Sequence, residues 1–61
     1  MKIVATSNFN EDNYSEYVIC DHVNSYWGKL IEKLLQNKVK EHDSAWPVLK
    51  PDDYVPFVWE P

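Results

Sequence analysis

Cys20 and His22 stand two residues apart in the stretch EYVICDHV, so on an extended strand they share a face while Asp21 points away. That pairing suits a thiolate assisted by an imidazole, or half of a metal site completed by His42 and Asp43. The spacing argues against both. A tetrahedral metal site needs four ligands, usually in short recognisable spacings, and the gap from His22 to His42 is not one of them. The expectation is a small buried thiol beside a surface histidine, with no catalytic residue, no metal and no cofactor. Asp52 and Asp53 form the other candidate, because paired carboxylates can split their pKa values for acid/base work. They follow Pro51, however, and aspartates in a proline turn are ordinarily solvated turn formers. Gly28 is the only glycine, which leaves no glycine-rich phosphate loop. A non-enzymatic protein is expected.

With 61 residues there is room for one domain, spanning 1–61, and a domain of that size buries only about 60% of the surface its unfolded chain exposes. A single cysteine excludes an internal disulfide. The aromatics Phe9, Tyr14, Tyr17, Tyr26, Trp27, Trp46, Tyr54, Phe57 and Trp59 are the natural candidates for core stabilisation, since each large ring can remove roughly 150–250 Å² from water. Ten acids against six lysines give a net charge of −4, and arginine is absent. Nucleic-acid binding needs a basic footprint, and anionic membranes attract basic segments, so neither is expected. The opening apolar run is too short for a signal peptide and no stretch approaches 18 apolar residues, which makes the cytosol the expected location.

The elements follow from hydrophobic period. Lys2 to Phe9 alternates, with Ile3, Ala5, Ser7 and Phe9 on one side, and predicts a strand. Asn10 to Ser15 is rich in turn-forming side chains, and Glu16 to Val23 predicts a second strand paired as a hairpin. Asn24 is a good N-cap, after which Tyr26, Trp27, Leu30, Ile31, Leu34 and Leu35 recur as adjacent pairs every four residues. That stripe predicts an amphipathic helix ending near Asn37 to Lys40, its apolar side taken as core. Gly28 interrupts it at a cost of about 1 kcal/mol relative to alanine, which implies close approach of the helix to a strand. Beyond a polar connection from Val39 to Ala45, WPVLK and YVPFVWE flank a turn with Pro51 at its second position. Pro56 places the last strand at an edge, with Val55, Phe57 and Trp59 facing the helix. The predicted fold is α+β, in the order β-β-α-β-β, with a small antiparallel sheet packed on one helix.

One helix cannot cover both faces of a sheet, so some of Tyr14, Tyr17, Trp46, Tyr54 and Trp59 should stay exposed as protein-interface material. Glu11, Asp12, Asp52 and Asp53 would form a charged rim. An edge strand offers a further contact, a homodimer through backbone pairing. The segments VATSNFNEDNYSEYVICDHVN, YWGKLIEKLLQNK and VLKPDDYVPFVWEP resemble small accessory proteins of tailed bacteriophages and prophages, which show a TSNF start, a PDDY turn and a WEP or FEP ending. The resemblance spans nearly the whole chain and rests on turn and core residues. It implies the β-β-α-β-β architecture and a non-catalytic protein that binds a host or phage protein and inhibits it, such as a defence enzyme or a replication or transcription factor. Two other functions fit the composition: an acidic mimic of nucleic acid, and a homo-oligomeric structural accessory protein.

Overall fold

The computed structural model describes residues 1–8, 13–39 and 44–60. Three strands and a helix follow one another as β1 (Lys2–Ser7), β2 (Tyr17–Cys20), α1 (Ser25–Val39) and β3 (Ala45–Lys50). All pairings are antiparallel and the sheet order is β2-β1-β3, so the α+β class, the hairpin and the single helix stand as expected. Phe9, the expected end of the first strand, lies outside the described residues.

The central strand β1 carries the core. Ile3, Val4 and Ala5 are fully buried in succession, joined by Pro47 of β3. Successive strand residues point to opposite faces, so three buried in a row require cover on both sides of the sheet. Ile3 stands opposite Leu49 and Ala5 opposite Pro47, while Val4 stands between Val48 and Val18. On the first of these faces α1 presses against Leu49: a Cβ added at Gly28 would lie 2.6 Å from the Leu49 side chain. Gly28 is buried for this reason, which is the close approach that its presence in a helix implies.

Asn24 caps α1 as expected, its side-chain oxygen accepting the Trp27 N–H at 2.8 Å. Two side chains of the helix also reach the outer edge of β3. Glu32 accepts the Leu49 N–H at 2.6 Å, and Gln36 donates to the Pro47 carbonyl at 2.7 Å. Pro47 itself has no N–H to donate, so that edge is largely satisfied by α1 rather than left open to another chain.

The expected closing strand does not form. Residues 54–60 are extended but join no ladder. Pro56 removes a donor from the middle of the stretch, and side chains take the place of a partner strand. The Lys50 ammonium lies 4.7 Å from the centre of the Tyr54 ring, and residues 57–59 end on Ser15 and Glu16, so the stretch straps the sheet on the side of Lys50, away from Leu49. The turn before it differs too. Tyr54 N–H donates to the Pro51 carbonyl at 3.0 Å, which puts Pro51 first and Asp52 and Asp53 at the two central positions.

Two substitutions at Gly28 test the helix seat. Gly28→Ala should change stability by less than about 1 kcal/mol, because gained helix propensity offsets a small shift of a flexible leucine tip. Gly28→Val should cost roughly 1–3 kcal/mol, since its branch cannot turn away; chemical denaturation of both variants measures the contrast.

Candidate functional site

Cys20 and His22 are not brought together. The pairing of β1 with β2 slips between Ile3 and Val4, where Cys20 and Val18 are the successive partners and Ile19 is the extra residue of a bulge. The strand ends at Cys20, which is half-buried opposite Ile3. His22 turns into the left-handed region at φ 59° and is exposed, its Nδ1 2.9 Å from an Asp21 carboxylate oxygen. The expected common face for thiol and imidazole is thus broken by the end of the strand. His42 and Asp43 lie outside the described residues, and among the described residues no three potential metal ligands gather.

An open pocket of about 340 Å³ is lined by Lys2, Val18, Asp21, His22 and Asp52. Its lining is one apolar side chain among groups of both charges, and it excludes Cys20. Asp52 sits at its border with the terminal ammonium, whose nitrogen is 2.9 Å from the carboxylate and also donates to the Val23 carbonyl at 2.6 Å. The ammonium's hydrogen bond and charge hold the Asp52 carboxyl below its ordinary range. Asp53 is exposed beside it, so the two aspartates serve as turn corner and chain-end clamp.

The second polar centre is Glu16. One of its carboxylate oxygens accepts both the Tyr54 hydroxyl at 2.6 Å and the Phe57 N–H at 3.0 Å, while the Glu16 N–H donates to the Phe57 carbonyl at 2.7 Å. Ser15 adds a bond from the Trp59 N–H at 3.1 Å. This knot ties the strap, over a separation of some forty residues, to the segment leading into β2. It holds the Tyr54 phenol above its ordinary value, first through the bond to Glu16 and then through partial burial.

The apolar surface is larger than the pocket. Of the expected interface rings, Tyr17 and Trp59 are exposed, whereas Tyr14, Trp46 and Tyr54 are half-buried. Glu11 and Asp12 lie outside the described residues. Val55, Phe57 and Trp59 were expected to face the helix and instead face solvent, with Val55 82% exposed, because the strap lies on the other side of the sheet from Leu49. The helical stripe divides in the same way. Ile31 and Leu35 are half-buried beside Gly28, but Tyr26, Trp27, Leu30 and Leu34 are exposed, Leu34 by 68%. Tyr26 and Trp27 meet edge to face at 5.2 Å. The core expected of the whole stripe is therefore overturned for four of its six residues. Sequence holds a signal for this: Gly28, Glu32 and Leu35, spaced by four and three, mark the seated line, and the second apolar line of the adjacent pairs then has nothing to sit on.

No protein-family model, no curated protein and no solved structure matches this chain.

Two measurements probe the polar centres. Glu16→Ala should lower stability by about 1–3 kcal/mol and increase amide exchange at 54–59, while leaving α1 protected. In the parent protein the Tyr54 contribution is complete below the ordinary phenol pKa and lost as pH rises through the higher folded value, so Glu16→Gln should make tyrosinate appear at lower pH by ultraviolet titration. At the acid end, the Asp52 contribution is complete above its ordinary pKa and fades as pH falls through the lowered folded one. Asp52→Asn should accordingly be less stable than the parent near neutral pH and converge with it in acid, as followed by thermal melts across pH.

Proposed function

We propose that this chain is a small non-catalytic accessory protein of the phage type, acting in a bacterial cytoplasm by binding a host protein and inhibiting it. The single observation that carries this reading is the amount of apolar side chain left in water. The accessible surface is 4554 Å², against about 4,100 Å² for a compact monomer of 7.2 kDa. Exposed rings and aliphatics concentrated on two stretches of so small a chain are the material from which interface centres are built.

The partner surface is the strap with its neighbour β2: Tyr17, Val55, Phe57 and Trp59 as apolar contacts, Tyr14, Trp46 and Tyr54 as half-buried supports, and Asp52 and Asp53 at the rim. β2 is a weak site for pairing backbone to backbone. It is four residues long and irregular, and a bulge disrupts the ladder that a neighbouring chain would extend. Side chains therefore do more of the binding than backbone.

Phosphate mimicry has less support. A duplex presents charges every few ångströms, whereas four of the six described acidic side chains are engaged separately: Glu16 by Tyr54, Glu32 by Leu49, Asp21 by His22 and Asp52 by the terminal ammonium.

Affinity capture from a bacterial lysate on the immobilised chain tests the proposal. One host protein should be retained by the parent and lost with the double variant Phe57→Ser/Trp59→Ser, whose circular dichroism should match the parent. Retention of no specific protein, or of one indifferent to both substitutions, would sink it.

A further inference from the structure

The charges of this protein are segregated. α1 holds Lys29, Lys33 and Lys38 against Glu32 alone, a balance of +2 in a chain of −4, which leaves −6 for the remainder. The one acid of the helix is turned inward onto the Leu49 N–H, so the charges that α1 presents to solvent are all positive. They flank the exposed Tyr26, Trp27, Leu30 and Leu34, of which Tyr26, Leu30 and Leu34 stand one above another at intervals of four. The strap has the opposite character. Residues 51–60 contain Asp52, Asp53 and Glu60 and no lysine, among the exposed Val55, Phe57, Val58 and Trp59; the terminal ammonium engages Asp52 and the Lys50 ammonium lies over Tyr54, so Asp53 and Glu60 are the exposed acids that the lysines of another copy would meet.

The two surfaces lie at opposite sides of the sheet. α1 is seated on β3, and the far end of the strap is tied at Ser15 and Glu16, beside β2, in a sheet ordered β2-β1-β3. They cannot cover each other within one molecule. Between two molecules they match, apolar on apolar and lysine on carboxylate. We propose that copies of this chain associate head to tail, the outer face of α1 in one copy covering the strap of the next.

Charge selects this arrangement over the symmetric ones. Helix against helix would oppose lysines to lysines, and strap against strap acids to acids, each repulsive at the separations where salt does not screen, about 10 Å at 0.1 M. A head-to-tail contact leaves one helix and one strap free at the ends, so it closes as a ring or continues as a chain of copies. This goes beyond the binding of a host protein and does not depend on it. A partner on the strap would compete with the next copy.

The test uses two variants of the full chain with substitutions on exposed side chains. Leu30→Asp/Leu34→Asp disables the helix face and Val55→Lys/Val58→Lys disables the strap, with circular dichroism confirming that each folds. The parent should show an average mass above one chain by sedimentation at low salt, rising with concentration and falling as salt is added. Each variant alone should sediment as a monomer. Mixed in equal amounts they should form a dimer that grows no further, because one contributes an intact strap and the other an intact helix face. A parent that stays monomeric at all concentrations overturns the proposal. So does a variant that dimerises alone, which would mark a symmetric contact or pairing through β2, and so does a mixture that stays monomeric.

Discussion

Burial of three consecutive residues in β1 is the constraint on which the rest of the molecule depends. Ile3, Val4 and Ala5 point alternately to the two faces of the sheet, and all three are inaccessible to water. A chain of 61 residues must then provide cover twice, and its described residues hold one helix with which to do so. α1 serves the side of Leu49, and the residues after Lys50 are drawn over the other side and tied down by Glu16. That residues 54–60 form no fourth strand is a consequence. A segment that crosses a sheet cannot also extend it at the edge, and Pro56 makes the ladder the less rewarding choice.

The same economy explains why so much apolar surface remains. Seating α1 on β3 uses the line through Gly28 and Leu35, and the two edges of the sheet are already handled, one by Glu32 and Gln36 and the other by brevity and a bulge. Nothing within the described residues is left to cover the outer half of the helix. The molecule is correspondingly flat, 36 × 27 × 12 Å, with a radius of gyration of 11.4 Å where a compact chain of this length would have about 10.5 Å. A flat protein with little interior presents most of its side chains on faces, and segregated charge gives those faces a direction.

Polar groups help to close this fold. Glu16, Glu32, Asp52 and the terminal ammonium each close a contact between distant parts of the chain, and their bonds stand where a larger protein would place apolar packing. The pocket beside Lys2 and His22 lies where the end of β2 meets the chain-end clamp.

Local sequence determined the elements. The alternation from Lys2, the β-branched block at Tyr17 to Cys20, the Asn24 cap and the pairs repeating every four residues from Tyr26 each specify a conformation through contacts within a few residues, and each formed. Gly28 even announced which side of the helix would be pressed on a strand. Tertiary structure alone decided what those elements left uncovered. Whether Trp27 and Leu34 are core depends on how wide the sheet beneath them is, and whether Phe57 joins a ladder depends on Glu16, a residue some forty positions away. His22 shows the limit at its sharpest, since a two-residue spacing aligns it with Cys20 only while the strand continues, and the strand stopped between them. Periodicity encodes what a residue does relative to its neighbours in the chain; which of the resulting faces meets protein and which meets water is fixed by the packing of segments far apart in sequence.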